Sequence, residues 1–389
     1  MLLIHPPVVR PCEAPAGIAR LAGFLRIRGY ECRTVDLNLE GLRYRIEHPD
    51  LQGSSGDTWA RRALKNRSTR LLQLSDWETY GRIDRYGSAV RSLNRVLAAD
   101  PSGVSGRITL ANYEDPALSP LRSPDLIRAA EEPERNPFYA YFSQRLASLI
   151  EEKPPRTIGL SLNYLTQALC TFAMIGYLRK HHGNIRLILG GGLVTSWMSR
   201  PDWRNPFTGW VDDLVSGPGE PYLADTLSLE NARSEAPPCY DDLPRTDYLA
   251  PGFILPYSTS RGCYWRRCAF CPEKAEENPY CPIPPKQALG ELGTLIPSTK
   301  PILIHFLDNA LSPAMMTALI QSPPGIPWYG FSRFTPELKD AGFCRALKDA
   351  GCVMLKLGLE SGDQHVLDSL DKGIDLQSAT QTLKWLHEA

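Results

Sequence analysis

Three cysteines fall within nine residues, in the run Cys263-Tyr-Trp-Arg-Arg-Cys268-Ala-Phe-Cys271. The other seven, Cys12, Cys32, Cys170, Cys239, Cys281, Cys344 and Cys352, are scattered along the chain. Ten cysteines in 389 residues are too sparse for a disulfide scaffold, whereas a tight cluster of them marks a metal site. Three thiolates on one short loop can cap three corners of a 4Fe–4S cube and leave the fourth iron open for chemistry. Arg261, Arg266 and Arg267 close by would favour the thiolate forms and balance an anionic cluster. A structural zinc ion, closed by Cys281 as fourth ligand, is the competing use of the same thiols.

The segments that must position this loop alternate between strand and helix. MLLIHPP is a short apolar strand closed by a Pro-Pro loop. AGIARLAGFLRIRGY carries Ile18, Leu21, Ala22 and Leu25 at helical spacing and stops at Gly29. ECRTVDLNLEG reads as a second strand that runs to Gly41. The rhythm breaks over residues 42–150, rich in Arg, Ser and Asp with scattered aromatics, which read as a mostly helical insertion. It resumes with RTIGLSLNY, QALCTFAMIGYLRKHHG and NIRLILGGG, followed by WVDDLVSGPGEPYLADTL. Residues 236–252, rich in Pro and Asp, read as a linker. A second series then starts with ILPYSTSRG, and the cysteine run lies in the loop directly after that strand. PILIHFLDN, WYGFSRF and CVMLKLGLES are its later strands.

Strands separated by helices imply parallel sheets covered by helices. Residues 1–41 and 151–235 form a Rossmann-like domain on this reading, and 253–389 form a second α/β domain. Functional groups in such sheets gather at the C-terminal strand ends. In the second series those ends carry Asp308 and Asn309, then Ser332 and Arg333, then Glu360 and Ser361. Taken singly, Asp308 would serve as a helix N-cap and Glu360 as one half of a surface salt bridge.

The cysteine loop resembles that of the radical S-adenosylmethionine (SAM) superfamily, whose motif also follows the first barrel strand and has an aromatic residue before the third cysteine, as Phe270 is here. The commonest spacing there is C-x3-C-x2-C; this chain has four residues in the first gap. The resemblance implies a partial β/α barrel over 253–389: only four strand–helix units follow the linker, where the family's barrels usually have six or more, so on this reading either the chain is a fragment of a longer protein, apparently incomplete at the C-terminus, or the barrel is unusually open. It also implies that Cys263, Cys268 and Cys271 hold a 4Fe–4S cluster on which SAM is cleaved to a 5′-deoxyadenosyl radical, with an electron from a flavodoxin- or ferredoxin-type reductant. Asp308 and Asn309 resemble the family's site near the SAM amino group, and Glu360 and Ser361 its site near the ribose. Ser332 and Arg333 would meet the SAM carboxylate or the substrate.

The first domain is similar to cobalamin-binding domains, with their D-x-H-x-x-G, S-x-L and GG positions. Here these are Asp36, Asn38 and Gly41, then Ser161, then Gly190, Gly191 and Gly192, and 28 residues separate Ser161 from Gly190. Gly217 and Glu220 resemble a further loop of such a domain. Asn38 stands in the place of the cobalt-ligating histidine, so no lower His ligand is implied. Together the resemblances cover residues 1–41 and about 156–389. They imply a cobalamin-dependent methyltransferase acting at an unactivated carbon of a small molecule or peptide. A radical rearrangement or cyclisation is the alternative within the family, and a zinc-stabilised binding module the alternative outside it.

The bulk composition narrows the partners. Lys plus Arg and Asp plus Glu each number 43, so the formal net charge is zero, which argues against a general nucleic-acid binder. No run of eighteen apolar residues appears, and MLLIHPPVVRP is too short for a signal peptide, so the chain reads as cytoplasmic.

Overall fold

In a computed structural model the described residues are 1–49, 58–98, 106–229 and 236–389. They divide into two units, Met1–Gly252 and Phe253–Ala389. The parts of the 42–150 region at 50–57 and 99–105 lie outside the described residues, as do 230–235.

The first unit is organised by a five-stranded sheet. Its strands are β1 (Leu2–His5), β2 (Arg33–Asp36), β5 (Thr157–Ser161), β6 (Arg186–Gly190) and β7 (Asp213–Val215), all parallel in the order β2-β1-β5-β6-β7. The short hairpin β3 (Arg107–Ile108) with β4 (Tyr113–Glu114) stands apart. The strand order is that of flavodoxin-type doubly wound sheets. It reverses direction between β1 and β5, which opens a crevice beyond their C-terminal ends.

Helices α1 (Ala16–Arg26) and α2 (Leu37–Glu47) follow the first two strands. The expected strand over 31–41 therefore ends early, at Asp36. The Asp36 carboxylate accepts the backbone N–H groups of Asn38 and Leu39 and so caps α2. A string of helices follows: α3 (Thr58–Lys65), α4 (Arg67–Gln73), α5 (Trp77–Tyr80), α6 (Ile83–Leu97), α7 (Ser123–Glu131) and α8 (Tyr139–Glu152). Their inward side chains, among them Leu93, Leu97, Phe142 and Leu146, join the core of the sheet. Helix α9 (Leu165–His181) is apolar on every face and is buried from Gln167 to Leu178, as a helix must be when it is covered on all sides. Helices α10 (Gly192–Met198) and α11 (Gly219–Thr226) complete the alternation.

The 236–252 stretch is tied into this unit. Cys239 N–H donates to Ala19 O at 2.8 Å, Arg26 pairs with Asp242, and Tyr248 OH donates to the buried Asp36 at 3.1 Å.

The second unit is built on four parallel strands, β8 (Ile254–Tyr257), β11 (Leu303–Phe306), β12 (Trp328–Ser332) and β13 (Cys352–Leu357), lying side by side in chain order. A two-residue pair, β9 (Ser260–Arg261) with β10 (Cys281–Pro282), brackets the cysteine loop. The helices are α12 (Pro272–Ala275), α13 (Pro285–Thr299), α14 (Pro313–Gln321), α15 (Ala341–Asp349), α16 (Gln364–Ser369) and α17 (Leu376–Glu388). Ile304, Phe306 and Trp328 are fully buried, whereas His305 and Tyr329 are partly exposed and stack face to face at 4.3 Å. The two side-chain sets alternate along the strands, as period-two pleating requires.

One contact tests the packing of the first unit. A Cβ placed on Gly176 of α9 would lie 1.8 Å from the carbonyl oxygen of Ala130 on α7. Gly176→Ala is expected to push these helices apart and cost about 2–3 kcal/mol. Gly290→Ala on α13, where the added methyl meets nothing within 4 Å, is expected to be neutral or stabilising by up to about 1 kcal/mol. Urea unfolding of both variants checks the contrast.

Candidate functional site

The cysteine loop starts at a forced turn. Gly262, just before Cys263, has φ +71°, and a Cβ there would stand 2.4 Å from Pro279 O, so only glycine fits. Cys271 ends the loop by leading into α12, whose first helical residue is Pro272. Between these points the loop is held by contacts from elsewhere in the unit. Trp265 Nε1 donates to Asp371 O at 3.2 Å, and its indole packs where a Cβ on Gly373 would otherwise be. Arg267 pairs with Asp371 at 2.7 Å, and Ala269 N–H donates to Leu370 O.

Arg333, directly after β12, is buried and contacts the loop. Its guanidinium lies 4.1 Å from the Trp265 ring centroid and 3.7 Å from Cys268 Sγ, and it also donates to Lys372 O. Lys372, itself buried, pairs with Glu360 at 2.8 Å, and its ammonium faces the half-exposed Phe270 ring. Thus Cys268, Arg333, Trp265, Phe270, Lys372 and Glu360 form one connected group. Ser361 N-caps nothing here; its hydroxyl accepts Asp363 N–H at 3.1 Å. Ser332 is buried, and its hydroxyl donates to Arg333 O.

Asp308 is 2% exposed, and it is the acceptor for Thr259 N–H (3.0 Å), Thr259 Oγ1 (2.7 Å) and Ser260 Oγ (2.5 Å). Burial holds its carboxyl above the usual range, against the three hydrogen bonds that favour the anion. The residue is a clamp on the segment that enters the cysteine loop. The N-cap of α14 is Ser312, which accepts Met315 N–H. Asn309, next to Asp308, is exposed.

The donor chemistry fits an iron–sulfur cluster: three thiols on one loop, one of them beside a guanidinium. The thiols are not drawn together in this conformation, since no three His, Cys, Asp or Glu side chains among the described residues stand as a metal-ligating group. Cys281 is exposed on β10, where it pairs with Arg261, two residues before Cys263.

In the first unit the motif residues line the strand ends on either side of the β1/β5 reversal. Asn38, 2% exposed, accepts Val9 N–H at 2.8 Å and so fixes the loop after β1. Gln167 donates to Pro6 O and Thr166 to Val8 O from the other side. Asn163 donates to Ser161 Oγ and accepts Gly192 N–H, both at 3.0 Å. Gly191 has φ +113° and lies against Leu162 O, where a Cβ would come within 2.4 Å. Gly190 ends β6, and Gly217 N–H donates to Thr195 Oγ1 at 2.9 Å. Glu220 is committed to Arg20 at 2.9 Å. Gly41 lies inside α2, where a Cβ would press on Phe138 and Tyr141, so its smallness serves helix packing. His5, at the end of β1, is buried; its Nδ1 has no hydrogen-bond partner among the described residues, and burial pushes its pKa down to about 4.

Sequence reasoning places Trp265 against the loop, as the structure does, but missed Lys372, Thr259 and Ser260 as its organisers. The Asp-Lys-Gly at 371–373 was the available signal, a turn glycine following two charges.

No family model matches the chain. Among curated proteins it is similar to an uncharacterized methyltransferase of Pyrococcus horikoshii, 25% identical over 280 residues. The match covers 61% of this chain and 59% of that relative. Among solved structures it resembles the cobalamin-dependent S-adenosylmethionine radical enzyme OxsB with aqua-cobalamin and S-adenosylmethionine bound. The TM-score is 0.60 at 15% identity, covering 99% of this chain and 47% of OxsB. It also resembles the radical S-adenosylmethionine methyltransferase TsrM of Kitasatospora setae with cobalamin and an iron–sulfur cluster bound. Here the TM-score is 0.58 at 13% identity, over 100% of this chain and 67% of TsrM. A TsrM structure with tryptophan substrate and a SAM analogue gives a TM-score of 0.57. At these identities the likeness is one of fold. The chain has the α/β fold of these enzymes and spans about half the length of OxsB.

Asp36 supplies a test in the first unit. Three groups donate to its carboxylate, yet complete burial pushes its pKa up to about 7. The folded protein therefore holds this proton more tightly than the unfolded chain. The stability the group contributes is present at pH below about 4 and is lost as the pH rises through about 7. Asp36→Asn keeps the capping oxygen and removes the titration. The difference in unfolding free energy between wild type and variant is expected to fall along that interval; parallel pH profiles would contradict the assignment.

Proposed function

We propose that this chain is a cobalamin-dependent radical SAM methyltransferase that methylates an unactivated carbon of a small-molecule or peptide substrate. The observation that carries the reading is the cysteine loop. It leaves the first strand of a parallel sheet in a chain whose fold, over nearly its whole length, is that of OxsB and TsrM. The similarity to a Pyrococcus methyltransferase supports methyl transfer over rearrangement.

On this reading Cys263, Cys268 and Cys271 hold a 4Fe–4S cluster, which their thiols would reach by closing in from their present positions. With SAM and cobalamin bound, such a site supplies a 5′-deoxyadenosyl radical, formed with one electron from a flavodoxin- or ferredoxin-type reductant, and a methyl donor. The protein's own part is to position and to shield. Arg333 places positive charge beside Cys268 and, with Trp265, braces the loop that must hold the cluster. Phe270 faces the Lys372 ammonium, and Lys372 sets the position of Glu360, assigned with Ser361 to the SAM ribose. Asp308 shapes the approach to the loop, and exposed Asn309 is offered to the SAM amino group. Ser332 fixes the end of β12 from which Arg333 projects. In the first unit Asn38, Ser161 and Gly190–Gly192, with Gly217, frame the crevice assigned to cobalamin. Glycine there lets backbone approach a bulky ligand.

Anaerobic reconstitution with iron, sulfide, SAM, cobalamin and a reductant is expected to yield 5′-deoxyadenosine and a substrate-derived product heavier by ~14 Da. Cys268→Ala is expected to lose the iron and the 5′-deoxyadenosine together. Stoichiometric zinc in the anaerobically purified protein, or undiminished turnover in the variant, would sink the proposal.

A further inference from the structure

Within the first unit, α3, α4 and α6 enclose a pocket of about 250 Å³. Its wall includes Trp59, Arg62, Asn66, Arg70, Ser88 and Arg91, and none of its lining residues among the described ones is acidic. The spacing explains the convergence. Trp59 and Arg62 are three apart on α3, and Ser88 and Arg91 three apart on α6, so each helix turns one polar stripe to the same space. The whole region is strongly basic. Residues 58–98 hold nine Lys and Arg against three Asp and Glu, in a chain whose net charge is zero.

Like charges are costly to hold together, and among the described residues no carboxylate lines the pocket beside its three guanidinium groups. Arg70 Nη1 donates to Gln73 Oε1 at 2.8 Å, while its Nε is buried with no hydrogen-bond partner among the described residues. Arg62 and Arg91 are exposed and have no carboxylate partner among those residues. Trp59 is 54% exposed, and the Arg95 guanidinium lies 5.2 Å from its ring centroid, which fixes the indole as one wall.

We propose that this pocket binds the phosphate monoester of a small molecule. Three guanidinium forks with the Ser88 hydroxyl and the Asn66 amide supply more donors than a carboxylate can use. They suit a tetrahedral dianion with three terminal oxygens. The Trp59 face offers apolar surface to a ring carried next to the phosphate. The site does not depend on the radical chemistry proposed above, since every residue in it belongs to the helical region between β2 and β5.

Titration calorimetry of the full chain with inorganic phosphate, AMP and adenosine tests it. Phosphate and AMP are expected to bind and adenosine not to. Arg62→Ala and Arg91→Ala, both at exposed positions, are each expected to weaken AMP by about tenfold while far-UV circular dichroism stays unchanged. Vesicles containing phosphatidic acid carry the same monoester on a membrane, and the proposal expects soluble AMP to bind without them. Absence of binding to both phosphate and AMP, equal affinity in folded variants, or binding to the vesicles alone would overturn it.

Discussion

A nine-residue loop carrying three thiols has no regular backbone ladder of its own, so its shape must come from outside. Here it comes from the buried guanidinium of Arg333, which touches Trp265, Cys268 and the 370–373 turn at once. A buried guanidinium is expensive unless its donors and its face are used. Ring stacking, a backbone carbonyl and a thiol sulfur satisfy it, and the same contacts tie β12 to the turn after α16. The loop's geometry is thereby coupled to the C-terminal ends of two strands. A ligand at those ends would meet a loop whose anchors are set by the sheet rather than by the loop's own sequence.

Lys372 extends that coupling. Its ammonium is nearly excluded from water, yet it is paired with a Glu360 that remains well exposed. Such a pair contributes less than a fully buried one, because solvent screens the carboxylate. Its consequence is geometric: Glu360 has φ +71°, an uncommon backbone state for a side-chain-bearing residue, and the pair holds its carboxylate beside the loop.

Much of this was legible from residue order. Apolar runs, Gly and Pro punctuation, and helical spacing placed the sheet strands from Leu2–His5 to Cys352–Leu357; in the first sheet Leu2–His5 and Thr157–Ser161 are buried on both faces, which leaves an almost continuous apolar signature. The strand–helix border at Asp36 was misplaced because Asp36-Leu37-Asn38-Leu39 alternates like a strand, while the capping bonds that make it helical depend on a carboxylate whose third donor, Tyr248, is distant in sequence. The internal commitments of Glu220 to Arg20 and of Gly41 to Phe138 and Tyr141 were invisible for the same reason. Each depends on a partner about a hundred or more residues away.

The two units share a device that the motifs alone do not reveal. In each, the polar residues at the C-terminal end of the second strand act on the loop that follows the first strand. Asn38 accepts Val9 N–H after β1, and Asp308 accepts Thr259 and Ser260 after β8. In both sheets these two strands are neighbours, so the reach is one strand spacing, which a short side chain can span. The first loop is where an α/β sheet presents backbone to a ligand, and a loop held by buried side-chain acceptors is pre-shaped for it. The cost falls on the acceptor: Asp308 must be desolvated, which raises its pKa, and Asn38 avoids that penalty by being neutral. An amide suffices where one N–H must be held, whereas a carboxylate is needed where three donors converge. That difference in donor number accounts for why the first unit can place Asn at this position while the second keeps Asp.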